Sequence, residues 1–249
     1  MTMHFGDWGA MAFVLAGAFT GGFVNGLTGF GTALTGLPFW LQAVDPIVAA
    51  QLASAGAVVG HITTLPAIWR AMDGRRLAPM LIAGLIGVPI GTWLLPSVGL
   101  HAFKLTVGIV LVVYCSVMLF AAGRIRVEVG GPKIEAMVGL FGGILGGMAG
   151  LSGALPTVWA TLKGWSKTER RAIFQAFNMT ILTAMLVASL VQGLIGQRFL
   201  VALTVALPGT LVGSWLGARI YCRLDDHRYD RIVLVLLLIS GLALVLSGG

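Results

Sequence analysis

Two glycine-rich segments hold most of the residues whose types and spacing could bind a ligand. They read NGLTGFGT at 25–32 and GGMAGLSG at 146–153. A helix that restarts inside such a segment presents backbone N–H groups without intrahelical partners, together with the positive end of its dipole. Glycine also lets a ligand approach the backbone closely. These features predict a site for an anion that needs no cationic side chain.

Polar residues on the helices that follow each segment extend the predicted site. Gln51 and His61 recur at helical spacing in the stretch 46–69, and Gln175 and Asn178 occupy the matching early turns of 172–197. In membrane-spanning helices such side chains usually face the interior of the bundle. The predicted substrate-binding residues are Asn25, Thr28, Gly29, Phe30, Gly31, Thr32, Gln51, Gly150, Leu151, Ser152, Gly153, Gln175 and Asn178.

His61 is the titratable side chain that lies well inside an apolar run, whereas all nine Asp and Glu lie in loops or at run ends. It could relay a proton, or it could simply bond a neighbouring helix. The other candidates have structural alternatives as well. Small residues allow close helix packing and amides bond between helices, and the spacings Gly22/Gly26 and Gly143/Gly147 fit such packing.

Several other chemistries find no support in the sequence. No Ser/His/Asp, HExxH or P-loop arrangement occurs, so we expect no enzyme. Cys115 and Cys222 lie far apart and indicate neither a disulfide framework nor a metal site. No cofactor is expected either. The net charge of +7 comes from basic residues in short loops, which indicates orientation in a membrane and not nucleic-acid binding.

The composition is that of a membrane protein. Of 249 residues, 57% are hydrophobic and only 10% are charged, against about 25% charged in soluble domains. Uncharged apolar runs of roughly 18 residues or more are long enough to cross a bilayer. Together they predict an all-α polytopic membrane protein with about eight hydrophobic segments, at 8–44, 46–69, 77–103, 105–123, 136–162, 172–197, 199–218 and 232–249.

The chain repeats weakly at a spacing near 121 residues. GFVNGLTGFGTAL (22–34) and GILGGMAGLSGAL (143–155) agree at five of 13 positions, and GTWL (91–94) matches GSWL (213–216). Internal repeats of this kind are typical of secondary transporters. We therefore predict a first repeat at 1–122, a cytoplasmic linker at 123–135 and a second repeat at 136–249.

The basic residues select one topology. If all eight runs simply crossed, the basic loops would fall on both faces, against the positive-inside rule. If the first run of each half is a re-entrant hairpin, 14 of the 16 Lys and Arg share one face, and only Lys104 and Arg198 lie on the other. The run 8–44 would also be about 55 Å long as a straight helix. Each repeat is therefore predicted as a broken, re-entrant hairpin plus three transmembrane helices.

An odd number of crossings makes the two repeats inverted relative to each other and places both termini in the periplasm. The run 136–162 is short enough to be a tilted span as an alternative.

The glycine-rich pair NGLTGFGTALTGLP (25–38) and GGMAGLSGALP (146–156) resembles the TauE/SafE family of sulfite exporters, also called the toluene-sulfonate uptake permease family. The resemblance implies transport of small sulfur-containing anions such as sulfite, sulfoacetate or other sulfonates across the bacterial inner membrane. It also implies that both repeated motifs contribute to the substrate region. Ser152 stands where the first copy has Gly31, so the two halves are expected to contribute unequally.

The function expected from these observations is that of a secondary transporter working by alternating access. Its expected partners are the small anion and the lipid bilayer, with no nucleic acid, and a homodimer is left open. Two alternatives remain at this point. The chain could be a channel-like anion pore, or a membrane subunit that transports nothing itself.

Overall fold

The computed structural model describes residues 8–64, 74–121, 130–165 and 167–221, together with Leu238 and Leu242. Regular structure in these ranges is helical throughout, with no strand. Most of the predicted linker and, apart from Leu238 and Leu242, the last apolar run, 232–249, lie outside the described residues. In chain order the helices are α1 (Trp8–Thr28), α2 (Thr32–Ala43), α3 (Pro46–Thr64), α4 (Gly74–Leu94), a 3-10 turn (Leu95–Ser97), α5 (Leu100–Ala121), α6 (Pro132–Ala149), α7 (Ala154–Leu162), α8 (Lys167–Val191) and α9 (Gln197–Tyr221).

Several of these helices have the length and composition of membrane spans. Within the described ranges, five are long and apolar enough to cross a bilayer, and α3 contributes a shorter apolar helix. This result confirms the predicted class, an all-α polytopic membrane protein. The five spans are Trp8–Thr28, Leu77–Ser97, Leu100–Val117, Ala172–Val191 and Gln197–Ile220.

The helix ends differ from the ends of the apolar runs. Helix α5 begins at Leu100 and contains Lys104, and α6 begins at Pro132, inside the stretch predicted as linker. A charged residue limits an apolar run, but it does not end a helix, because a long lysine side chain can extend its ammonium group toward water. Proline at the first position of α6 is favourable, since the missing N–H would have had no partner there.

Both glycine-rich runs are broken at their glycines. We call Thr28–Thr32, between α1 and α2, break 1, and Gly150–Gly153, between α6 and α7, break 2. Gly29, Gly31 and Gly150 have φ angles of 78°, 94° and 70°. This left-handed conformation is strained for residues with a Cβ, so the glycines determine where each helix stops.

Helices α1 and α2 form an antiparallel hairpin. A Cβ added at Gly17 would contact Trp40, and one added at Gly21 would contact the carbonyl of Thr32, nearer the break. The fully buried indole of Trp40 donates a 3.0 Å hydrogen bond from Nε1 to the carbonyl of Val14. Helix α2 therefore returns alongside α1.

Helices α6 and α7 also reverse the direction of the chain. Near the break, a Cβ at Gly142 would lie 3.1 Å from the carbonyl oxygen of Ser152. At the other end, a Cβ at Gly130 would lie 2.7 Å from the Lys163 ammonium nitrogen. Because Gly130 precedes α6 and Lys163 follows α7, the chain approaches and leaves this hairpin at one end of the bundle.

Each hairpin packs against a helix from the other half through glycines. In the α1–α9 pair, a Cβ at Gly26 would meet the carbonyl of Ser214, and one at Gly217 would meet that of Phe23. In the α6–α4 pair, Gly147 faces the carbonyl of Val88 in the same way, and Gly91 faces that of Ile144. Such contacts bring the backbones into direct apposition, as small residues do in membrane proteins.

Helices α3 and α8 form the centre of the bundle. Leu52 and Ala53 of α3, and Ile173 and Ile181 of α8, are at most 1% exposed. The two helices run antiparallel, since Gln51 near the start of α3 donates a 3.1 Å hydrogen bond to the carbonyl of Leu194, just beyond the end of α8. Both breaks pack against this pair.

Candidate functional site

A small cavity lies between the two breaks and the central helix pair. Its volume of about 20 Å³ is enough for one ordered water molecule. Both breaks and the first residues of α2 and α7 line it, together with side chains from the middle of α3 and α8. The lining residues are Phe30, Gly31, Thr32, Ala33, Leu34, Ala57, His61, Gly150, Leu151, Ser152, Gly153, Ala154, Asn178 and Leu182.

The start of α2 contributes unpaired backbone donors. The first hydrogen bond of this helix joins the N–H of Thr35 to the carbonyl of Gly31 at 3.1 Å. The preceding N–H groups, those of residues 31–34, find no acceptor among the described residues. Since residues 31–34 all line the cavity, the positive end of α2 lies against it.

Break 2 contributes further donors. The first bonds after this break join the N–H of Ala154 to Leu151 at 3.4 Å and the N–H of Thr157 to Gly153 at 3.1 Å. The N–H groups of Ser152 and Gly153 have no acceptor within the described ranges. Together the two breaks therefore provide six unpaired backbone N–H groups in residues that line one cavity.

Break 1 is held in shape by its own threonine. The Thr28 hydroxyl lies 2.8 Å from the carbonyl oxygen of Val24 and 2.6 Å from that of Phe30, and it accepts a 3.1 Å bond from the Phe30 N–H. Short hydroxyl side chains often satisfy nearby backbone groups in this way. Thr28 does not line the cavity, so its hydroxyl stabilises the break itself.

The Phe30 ring anchors break 1 to two other helices. It makes edge-to-face contacts with Tyr114 of α5 and Phe174 of α8, each with ring centroids 6.2 Å apart. Contacts of this geometry are favourable beyond the apolar area that they bury. Phe30 therefore forms an aromatic wall of the cavity and fixes its position relative to α8.

A buried hydrogen bond orients the amide of Asn178. The Ser152 hydroxyl donates to Asn178 Oδ1 at 2.8 Å, and both residues are at most 3% exposed. The other end of the amide faces break 2, since a Cβ at Gly153 would lie 2.8 Å from Asn178 Nδ2. Because Ser152 occupies Oδ1, Asn178 offers its N–H₂ group to the cavity as a further donor.

Three other predicted residues lie at or next to the cavity. Thr32 lines it, and its buried Oγ1 has no partner among the described residues. His61 lines it too and is fully buried. Asn25 lies one layer away: its Nδ2 donates a 3.3 Å bond to the carbonyl of Ala57, a lining residue.

The remaining predicted residues lie outside the cavity. Gly29 packs against α8, where a Cβ would lie 2.6 Å from Gln175 Nε2. Gln51 is at the far end of the central pair, bonded to Leu194. The sequence grouped both glutamines with Asn178, whereas the structure separates them from the cavity that contains Asn178.

Some lining residues could not be predicted from the chemistry of their side chains. Ala33 and Leu34 contribute through backbone N–H groups, and Ala57, Ala154 and Leu182 provide apolar walls. The contributions of Ala33 and Leu34 could have been predicted from the expected restart of the helix, because the first four N–H groups of any helix lack intrahelical acceptors.

His61 is the one side chain in this lining that can carry a charge. The lining includes no Asp, Glu, Lys or Arg. Across the ranges that the structure describes, no group of three or more His, Cys, Asp or Glu could hold a metal ion. The chemistry available is hydrogen-bond donation from two helix starts and one amide, which suits an anion.

Comparison with known proteins identifies a family. The family model described as "Sulfite exporter TauE/SafE" matches residues 13–244, which include both breaks and the central helix pair. No curated protein and no solved structure matches the chain. The family resemblance stated from the two glycine-rich motifs is confirmed.

Proposed function

Because this chain belongs to the sulfite exporter TauE/SafE family, we propose that it is a secondary transporter of small sulfur-containing anions whose substrate site is the cavity between the breaks. The family is one of membrane transporters and not of enzymes. The proposed substrates are sulfite, sulfoacetate or other sulfonates. The observation that carries the proposal is the set of six unpaired N–H groups around one cavity without charged side chains.

The donors suit a pyramidal or tetrahedral oxyanion. Sulfite and sulfonates present three acceptor oxygens, and two helix starts meeting from different sides can bond more than one of them at once. Each helix start carries the equivalent of about half a positive charge. In a site shielded from water these fixed dipoles act strongly, yet they leave no full charge that would hold the anion too tightly to release.

Within the site we assign different roles to different residues. The N–H groups of residues 31–34, Ser152 and Gly153, with Asn178 Nδ2, contact the anion. Phe30, Leu151 and Gly150 form walls that exclude water. Thr28 maintains the shape of break 1, Asn25 joins α1 to Ala57 of α3 next to the cavity, and His61 is retained as the candidate for a proton relay.

The two halves would supply the movement. We propose that 1–122 and 136–249 are inverted repeats, and the reciprocal packing of α1 on α9 and α6 on α4 supports this. Rocking of one half against the other would open the cavity to each face in turn. A volume of about 20 Å³ holds one water molecule and not a sulfonate, so the cavity must widen before substrate binds.

Reconstituted protein tests this function. Purified protein in liposomes is assayed for flux of sulfite, sulfoacetate, taurine and sulfate, with acetate as a carboxylate control. We expect saturable flux of at least one sulfur oxyanion and much weaker flux of acetate. Flux that rises linearly with concentration would indicate a pore, and absence of flux for every anion would refute transport.

A further inference from the structure

Two glutamines outside the cavity have buried amide atoms without partners. Gln175 is fully buried, and neither Nε2 nor Oε1 bonds any described residue. Gln51 is also fully buried; its Nε2 bonds the carbonyl of Leu194, but its Oε1 has no partner in the described ranges. Native proteins pair nearly all buried polar atoms, so these exceptions call for an explanation.

The glutamines occupy opposite ends of the central helix pair. At about 1.5 Å per residue, Gln175 lies roughly 4.5 Å before Asn178 along α8, and Gln51 lies roughly 9 Å before Ala57 along α3. Because α3 and α8 are antiparallel, these displacements point in opposite directions. The cavity, which Asn178 and Ala57 both line, therefore lies between the two glutamines.

Each glutamine also lies in a helix turn that packs against the break from the other half of the chain. Gln175 on α8 touches Gly29 of break 1. On α3, a Cβ added at Gly150 of break 2 would lie 3.3 Å from Ser54 Oγ and 3.4 Å from the carbonyl oxygen of Ala50, so break 2 packs on the turn that contains Gln51. A shift of break 1 away from α8 would expose Gln175, and a shift of break 2 would expose the turn of α3 that contains Gln51.

We propose that Gln175 and Gln51 form two flanking anion sites, one on each side of the cavity, which the substrate occupies on entry and exit. The proposal rests on the transport function proposed above and adds two ligand positions to it. The N–H₂ group of Gln175, and the N–H of Gln51 that does not bond Leu194, would donate to an oxygen of the sulfur oxyanion. Neutral amides bind an anion weakly, and passage through a membrane protein needs sites that the ligand can leave.

Leucine substitutions separate this role from a structural one. Leucine replaces the amide by an apolar group of similar size, so removal of the unpaired Gln175 amide should leave the unfolding temperature unchanged or raise it, whereas Gln51→Leu also loses the hydrogen bond to Leu194 and should lower it slightly. Loss of a hydrogen bond to an anion should raise KM about tenfold to a hundredfold. Exposed Gln42 and Gln192 provide the controls Gln42→Leu and Gln192→Leu, which should change neither quantity.

The test measures sulfite transport in right-side-out and inside-out membrane vesicles. Gln175→Leu should raise the KM for sulfite presented to one face, and Gln51→Leu should raise the KM for sulfite presented to the opposite face. Equal effects on both faces, an unchanged KM, or a lowered unfolding temperature of Gln175→Leu would overturn the flanking sites. If the unmodified protein transports no anion in either type of vesicle, the transport function itself fails.

Discussion

Replacement of Gly153 by alanine should weaken anion binding while leaving the stability of the fold nearly unchanged. The φ angle of Gly153 is not among the positive values found in this chain, so alanine is compatible with the backbone there. Its Cβ, however, would lie 2.8 Å from Asn178 Nδ2 and 3.1 Å from Oδ1. The amide must move away, and we expect this movement to break its 2.8 Å bond with Ser152.

Gly153→Ala should change the stability of the protein much less than its affinity for the anion. Loss of the bond between Ser152 and Asn178 costs about 1 kcal/mol of stability. Replacing glycine by alanine at a compatible position returns about 0.4–1 kcal/mol by restricting the unfolded chain. Net stability should therefore change little. The anion, by contrast, loses a charge-assisted bond worth about 1.5–3 kcal/mol, a decrease in affinity of roughly tenfold to a hundredfold.

The assay compares liposome flux and thermal unfolding in the same preparations. Gly196→Ala is the matched control, because a Cβ at Gly196 would meet nothing within 4 Å. We expect Gly153→Ala to raise the KM for sulfite at least tenfold while its unfolding temperature stays within a few degrees of the control. A variant with normal KM would refute the role of Asn178 and break 2 in binding.

Three further changes test other parts of the structure. Ser152→Ala frees Asn178 Oδ1 to accept a hydrogen bond, so hydrogen phosphate, which carries a donor O–H, should compete better against sulfite flux than it does in the unmodified protein. Trp40→Phe removes the indole N–H that joins α1 to α2, and thermal unfolding should show a loss of about 0.5–1.5 kcal/mol with an unchanged KM for sulfite. In a cysteine-free background, cysteines introduced at Gly130 and Gly164 should react with an impermeant thiol reagent from the same face of the membrane; reaction from opposite faces would contradict the α6–α7 hairpin.

The helices were predictable from the sequence because lipid imposes strict rules. Long uncharged runs are required to cross the bilayer, and the glycines mark the places where two of these runs break. Helix ends were less predictable. Lys104 lies within α5, since a membrane helix tolerates a lysine whose side chain extends to the interface.

The cavity between the breaks was predictable at the level of segments and not of individual side chains. Both breaks occur where the glycines predicted them, at Gly29–Gly31 and Gly150. The sequence could not separate Gln175 from Asn178, because residues three apart share one helix face and differ only in depth. Nor could it show that the Thr28 hydroxyl is occupied by the backbone of its own break, since such local bonds depend on the conformation of the break.

The central claim is that the unpaired N–H groups of both breaks bind the anion together. Selenite is a close analogue of sulfite, and its selenium atom can be located by anomalous scattering in crystals of the protein. We predict one selenium peak in the cavity, with selenite oxygens within hydrogen-bonding distance of N–H groups from residues 31–34 and from Ser152 or Gly153. A selenite ion that contacts only one break, or that binds away from the cavity, would contradict the claim.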